Sequence, residues 1–265
     1  MSLTKALIPC GGKGTRMSSV TKGAAKELLP IAGVPLVIRV MEECARSGAR
    51  EVLIVSAPGK DDLNEVARAA AGASRMPERV QVVTQKDPRG LSDAIRLGRD
   101  FVGNDTFGVA LPDNLFLGGE PALAQLRKVH ERTGKNVVAI VELTAANRAR
   151  YGPTAIYPGH LNGDEYVIES IPDKGPRGTT FDLKGATSAF TGVGRYVFLP
   201  EVFDAIDEVE ANLANSKGEL DDIPVLQLLL RRGRLTGCRI RGDFLDVGLP
   251  TGYRKADERL AREKR

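Results

Sequence analysis

Residues 5–16 read Lys5-Ala6-Leu7-Ile8-Pro9-Cys10-Gly11-Gly12-Lys13-Gly14-Thr15-Arg16. The apolar run Ala6-Leu7-Ile8-Pro9 has the form of a buried strand, and it opens into a glycine-rich, cationic loop. Glycine has no Cβ, so backbone N–H groups in such a loop can approach an anion closely. Arg16 adds fixed positive charge, and Lys26 adds more in Ala25-Lys26-Glu27-Leu28-Leu29-Pro30. Together these features ask for a di- or triphosphate bound by Gly11, Gly12, Gly14 and Thr15. The plain alternative is a glycine turn after a strand, with Arg16 and Lys22 merely solvated.

The spacing excludes two familiar phosphate loops. A P-loop needs Gly, four residues, then Gly-Lys-Ser/Thr, whereas Gly14 is followed by Thr15-Arg16. A dinucleotide fingerprint needs a third glycine where this chain has Met17.

Working outward, β-rich runs at Lys5–Pro9, Glu51–Ser56, Val80–Thr84 and Phe107–Leu111 alternate with helical patterns at Pro35–Ser47, Asp61–Ala71 and Gly90–Phe101. Leu36, Val37, Val40, Met41, Cys44 and Ala45 recur at helical spacing and form one apolar stripe. Strand–helix alternation predicts an α/β fold: a Rossmann-like, mainly parallel sheet flanked by helices. In the second half, Val137–Glu142, Thr154–Tyr157, Tyr166–Glu169 and Ala189–Phe198 read as strands of a mixed β extension that closes over the site. Pro172–Lys184 reads as a mobile loop. Helices follow at Pro200–Val209 and Pro224–Arg232, then strands at Leu235–Ile240 and Phe244–Val247, then a C-terminal helix. The expected organisation is a single domain over 1–265. It divides into a first half (1–135), a second half (136–250) and a terminal helix (251–265).

Composition narrows the class. With 265 residues, 42% apolar and 27% charged, the chain can bury a large core. No apolar run approaches the ~18 residues of a membrane helix, and no secretory pattern is evident. Cys10, Cys44 and Cys238 are odd in number and lack Cys-x-x-Cys spacing. They argue against a disulfide framework or zinc site and for a reducing cytoplasm. Cys44 reads as core and Cys10 as a small residue beside the loop. Net charge is +4, but basic residues are interspersed with acids, notably from Tyr253 to Arg265. With no Trp and 5% aromatics there is no stacking platform for nucleic acid.

In open α/β sheets, ligands bind beyond the carboxyl ends of parallel strands. The Gly11–Arg16 loop follows the first predicted strand, Gln85 the third, and Asp113-Asn114 the fourth. Three chemically apt groups therefore emerge on one edge. A carboxylate at a strand end near a triphosphate suits Mg²⁺, which takes one or two carboxylates plus phosphate oxygens. A turn aspartate after Pro112 is the bland alternative. Gln85 carries a donor and an acceptor and can read the imide edge of uracil or thymine. Asp246 ends an apolar run before Gly248, and Asp243 reads as surface.

Gly11-Gly12-Lys13-Gly14-Thr15-Arg16-Met17, Thr21-Lys22 and Lys26-Glu27-Leu28-Leu29-Pro30 together resemble the signature of sugar-1-phosphate nucleotidyltransferases. Within that family the likeness is greatest to the bacterial UTP–glucose-1-phosphate uridylyltransferases, then to the glucose-1-phosphate thymidylyltransferases. It runs from Leu3 to about Tyr253.

The resemblance implies transfer of a nucleotidyl group from UTP or dTTP to a sugar 1-phosphate, with glucose 1-phosphate the expected one and Mg²⁺ as cofactor, the nucleotide bound by the half 1–135 and the sugar by the half 136–250. It implies that Arg16, Lys26 and Asp113 are catalytic, with Asp113 and Asp246 as metal ligands. Gln85 and the Gly90-Leu91 pair would contact the base. Gly152 (in Tyr151-Gly152), Glu169 and Gly192 (in Gly192-Val193-Gly194-Arg195-Tyr196-Val197) would meet the sugar. The expected partners are these substrates, with no nucleic acid and no membrane, and a homo-oligomer is expected.

Three departures stand out. Ser19 and Ala25 replace prolines usual in the family. Its Glu-Lys-Pro is broken, because Glu169 is followed by Ser170-Ile171-Pro172, leaving Lys174 as the nearest substitute. The chain is also somewhat short. A phosphate nucleophile is already anionic, so catalysis needs positioning and charge neutralisation rather than a strong base. Hence neither histidine need act: His130 reads as part of a charged helical stretch and His160 as part of a Pro-Gly turn. Two other classes remain open. A glycosyltransferase would normally show Asp-x-Asp after the fourth strand, where this chain has Asp113-Asn114-Leu115. A silent nucleotide sensor would fit the broken segment after Glu169, but Arg16, Lys26 and Asp113 are all present.

Overall fold

The computed structural model of the chain describes residues 3–12, 14–21, 23–144, 156–173, 188–213 and 219–263. Strand β1 spans Lys5–Pro9, and a helical turn at Thr15–Met17 leads into α1 (Ser18–Thr21). A second turn, Lys26–Leu28, precedes the hairpin β2 (Pro30–Ile31) and β3 (Val34–Pro35). Then come α2 (Leu36–Arg46), β4 (Glu51–Ser56), α3 (Asp61–Ala69) and β5 (Arg79–Thr84). Next are α4 (Leu91–Arg96), α5 (Arg99–Val102), β6 (Phe107–Ala110), β7 (Asn114–Leu117), α6 (Ala122–Thr133) and β8 (Asn136–Thr144). β9 (Gly159–Asn162), β10 (Glu165–Ile168) and β11 (Ser188–Phe198) follow. α7 (Glu201–Leu213), α8 (Asp222–Arg231), β12 (Leu235–Arg239), β13 (Asp243–Asp246) and α9 (Pro250–Glu263) complete the order.

One nine-stranded sheet runs β5-β4-β1-β6-β11-β8-β12-β10-β9. β1, β4, β5 and β6 are mutually parallel, as the alternation predicts. β11 is antiparallel to β6 and β8, and β10 is antiparallel to β12 and β9. The strands of the second half therefore continue the first sheet. A strand alternates its side chains between faces, and β1 shows the result. Leu7 joins a cluster with Ala94 and Ile95 of α4 and with residues of α7 and α8. Ala6 and Ile8 join the opposite cluster, with Val37 and Val40 of α2 and Leu123 and Leu126 of α6. Among the described residues no helix is long and apolar enough to cross a membrane.

Several expectations need correction. The helix expected over Gly90–Phe101 is two, α4 and α5, broken at Gly98, where a Cβ would lie 2.4 Å from a methyl of Leu7. His160 lies in β9, not in a turn. The Asn114–Leu117 segment is a strand that pairs with β13 outside the main sheet. Of the strand expected over Thr154–Tyr157, Ile156 makes an isolated bridge to Thr191, while 154 and 155 lie outside the described residues. Most of the Pro172–Lys184 loop also lies outside them.

Candidate active site

Because β1, β4, β5 and β6 are parallel, the segments after them emerge on one edge. There a cleft of about 550 Å³ is lined by Gly11, Gly12, Gly14, Lys26, Gln85 and Asp113, among others. Thr15 and Gly90 also line it. The glycine loop lies between two side chains. A Cβ on Gly11 would lie 2.4 Å from Gln85 Oε1, while Gly14, at φ 63°, packs over the stem of Lys26. Only glycine suits both demands, a backbone in near contact and a left-handed turn.

Lys60 fixes the loop from behind. Its ammonium donates to the carbonyls of Cys10 and Gly12 (3.1 Å for the latter) and to both oxygens of Glu27 (3.1 and 3.0 Å). Glu27 is fully buried. Burial first, then Glu27, pushes the Cys10 thiol well above its usual range, so it is no nucleophile.

Lys26 donates to Asp113 Oδ2 at 2.6 Å, with both side chains about 15% exposed. Burial works to lower the Lys26 pKa, but the Asp113 carboxylate outweighs it and the ammonium is held above its ordinary range. Burial likewise works to raise Asp113, and Lys26 with Arg16 outweighs it, leaving the carboxylate below its ordinary range. Both groups are thus charged at neutral pH.

Asp113 and Asp246 converge, although they are far apart in sequence. The β7–β13 pairing sets Asp246 opposite Asn114, and Val247 N–H donates to the Asp113 carbonyl at 2.9 Å. A Cβ on Gly248 would lie 3.1 Å from Asp113 Oδ2 and 3.1 Å from Asp246 Oδ1, so both carboxylates flank one point. Two hard oxygen donors suit Mg²⁺ if phosphate oxygens complete its shell. Two carboxylates flanking one point are the share of the shell that a protein ordinarily supplies to Mg²⁺ beside phosphates.

The turn that carries Asp113 is fixed by a buried guanidinium. Arg195, fully buried, uses all five of its N–H donors. Two go to Glu43 (2.9 and 2.7 Å), and the others to the carbonyls of Leu111 (2.7 Å), Gly194 (2.9 Å) and Asn114 (2.7 Å). Asn114 closes the network: Gly194 N–H donates to its Oδ1 (2.8 Å), and its Nδ2 donates to Asp113 Oδ1 (3.1 Å).

Of the other expected residues, Arg16 is exposed on the Thr15–Met17 turn and does not line the cleft. Glu169 is exposed beside His160 (3.4 Å). Gly192 lies under the ring of Tyr157, which a Cβ would meet at 2.7 Å. Tyr151, Gly152 and Lys174 lie outside the described residues. His130 is buried between Thr106 and the Lys135 carbonyl, away from the cleft. Sequence reading missed Lys60, Arg195, Asp93 and Glu219, the last of which lines the cleft. Lys60 was within reach, because it follows β4 on the same carboxyl edge. Arg195 and Glu219 depend on tertiary contacts that no local pattern encodes, and Asp93, in the first turn of α4, carries no signal beyond that of an acid at a helix start.

The Nucleotidyl transferase family model matches residues 5–263 of this sequence. The chain belongs to the Nucleotidyl transferase family. It is 31% identical over 271 residues to the UTP–glucose-1-phosphate uridylyltransferase 2 of Staphylococcus saprophyticus, covering 96% of this chain and 90% of that one. It is 29% identical, with the same coverage, to the UTP–glucose-1-phosphate uridylyltransferase of Staphylococcus epidermidis. A solved UDP-glucose pyrophosphorylase in complex with UDP-glucose superposes with a TM-score of 0.82 at 26% identity, over 99% of this chain and 100% of that one. The UTP-bound enzyme of Acinetobacter baumannii, at 22% identity and a TM-score of 0.78, shares the fold.

Proposed function

We propose that this nucleotidyltransferase moves the uridylyl group of UTP to glucose 1-phosphate, giving UDP-glucose and pyrophosphate. The observation that carries the reading is the Lys26–Asp113 pair set under the glycine loop in a cleft that Gln85 also lines. Relatives that span nearly the whole chain are named for this reaction.

In the reaction, a phosphate oxygen of glucose 1-phosphate attacks the α-phosphorus of UTP. The bond from that phosphorus to the bridging oxygen of the β-phosphate breaks, and pyrophosphate leaves. The nucleophile is anionic, so positioning and charge neutralisation suffice. The N–H groups of Gly11, Gly12 and Gly14 would face the phosphates. Lys26, parted from Asp113, would neutralise the α-phosphate and the incoming phosphate, and Arg16 the leaving pyrophosphate. Asp113 and Asp246 would hold Mg²⁺, which neutralises phosphate charge when bound. Gln85 and Gly90 would meet the base.

For the sugar we assign Glu169, Gly152 and Gly192, with Lys174 supplying the cation absent at Ser170. A charge-assisted contact is worth about 1.5–3 kcal/mol, so Lys174→Ala should raise KM for the sugar phosphate roughly 10- to 150-fold. KM for UTP should stay put, and an unchanged sugar-phosphate KM would remove Lys174 from the site. The reaction itself is tested by pyrophosphate release from a panel of triphosphates and sugar 1-phosphates. Release should require UTP or dTTP, a hexose 1-phosphate and Mg²⁺ together. Sustained turnover in excess EDTA would refute the metal role.

A further inference from the structure

What a base meets at Gln85 depends on which end of its amide faces the cleft. Both amide hydrogens are engaged: Nε2 donates to Asp93 Oδ2 at 2.8 Å and to the Gly90 carbonyl at 3.3 Å. Asp93 is only 6% exposed, and its other oxygen, Oδ1, accepts from Arg96 at 2.7 Å. A carboxylate paired in this way can only accept. Turning the Gln85 amide over would set two oxygens against each other, so Asp93 fixes the amide's direction. Oε1 is thereby left on the Gly11 side, and among the described residues no donor reaches it.

We infer that Asp93 is the residue that sets base specificity, acting through Gln85. Held in this direction, Gln85 offers the cleft an acceptor and no donor. Uracil and thymine carry N–H at ring position 3 and can donate to it. Cytosine has a lone pair at the same nitrogen, which would face Oε1 unpaired. Asp93 does not line the cleft, so it is a positioning residue and not a catalytic one. This assignment rests on the uridylyl-transfer reading for its biological sense, but its physical content is a difference in binding.

The test is calorimetric titration of the full-length chain with Mg²⁺–UTP and Mg²⁺–CTP, alongside pyrophosphate release with glucose 1-phosphate. One mispaired polar contact predicts that wild type binds UTP roughly 5- to 150-fold more tightly than CTP. Asp93→Asn can donate to Gln85 Oε1 and lets the amide reverse, so most of that gap should close, chiefly through tighter CTP binding. Gln85→Met, similar in volume and without the amide, should abolish the gap, and it keeps the test decisive if Asp93→Asn folds poorly. Equal binding of UTP and CTP by wild type would overturn the inference. So would an Asp93→Asn that weakens both nucleotides alike, which is what a merely structural role predicts, or a Gln85→Met that keeps the gap. A wild type that releases no pyrophosphate, while Asp93→Asn still closes its UTP–CTP gap, would sink the uridylyl-transfer reading and leave Asp93 as the determinant.

Discussion

Lys60 has three N–H donors and four acceptors around it, two of them carbonyls of the glycine loop. A trans peptide sets its N–H opposite its carbonyl, so with the Cys10 carbonyl held by Lys60 the N–H of Gly11 points away from Lys60. Charge-assisted contacts of this kind are worth about 1.5–3 kcal/mol each. Lys60→Met should therefore weaken UTP binding roughly 10- to 150-fold. It also strands buried Glu27, so it should lower stability. Adding Glu27→Gln removes the stranded charge and should restore the melting temperature but not the UTP affinity. Recovery of both together would mean that Lys60 serves only to neutralise Glu27.

Asp113→Asn and Asp246→Asn should each lower kcat on the order of 10²–10³. The Lys26–Asp113 pair also has a pH signature. Asp113 is held low, so its stabilisation is present above the ordinary value of 3.8 and lost as pH falls through the depressed one. Lys26 is held high, so its share is present below the ordinary 10.5 and lost as pH rises through the raised value. Chemical denaturation of wild type and Asp113→Asn should show a stability gap that is constant near neutrality and closes at both extremes. A gap that grows toward acid would contradict the pairing.

At the scale of elements, Arg195 of β11 ties Glu43 of α2 to the turn between β6 and β7 that carries Asp113. Breaking a buried ion pair typically costs about 3–5 kcal/mol. Glu43→Ala should therefore lower the melting temperature by roughly 6–20 °C. Arg195→Lys keeps the charge but cannot make five fixed bonds, so kcat should fall and more Mg²⁺ should be needed to saturate. A variant with reduced stability but unchanged Mg²⁺ dependence would show that the network does not position Asp113.

These elements also mark how far the sequence could be read. Lys5–Pro9 and Glu51–Ser56 are strands at the expected residues, because apolar runs bounded by glycine and polar residues carry that signal locally. The break at Gly98 was not legible, since it depends on Leu7, distant in sequence. Strand β7 was missed because its partner, β13, lies more than a hundred residues away. In the cleft, Gln85 and Asp113 follow β5 and β6, whose ends are legible in the sequence, whereas Lys26 lies on the Lys26–Leu28 turn and is legible only through the family signature. That Lys26 and Asp113 pair with each other is not legible, because no local pattern encodes a contact between residues 87 apart.

Across the whole molecule, parallel strands bring the glycine loop, Lys60, Gln85 and Asp113 to one edge, and the β7–β13 pair adds Asp246 from the far end of the chain. Helix α9 then returns to the first half, where Asp257 accepts from Ala32 N–H (2.6 Å) and Tyr253 donates to the Pro30 carbonyl (2.7 Å). The segment after Lys26 and the segment after Asp246 are thereby braced together, as the proposed reaction would need if both groups act at the phosphates. The most direct test follows UTP, glucose 1-phosphate and Mg²⁺ with the wild-type chain by phosphorus NMR. UDP-glucose and pyrophosphate should appear in equal amounts, and adding pyrophosphate to UDP-glucose should regenerate UTP. UTP and glucose 1-phosphate left unchanged by a folded chain that binds UTP would contradict the account.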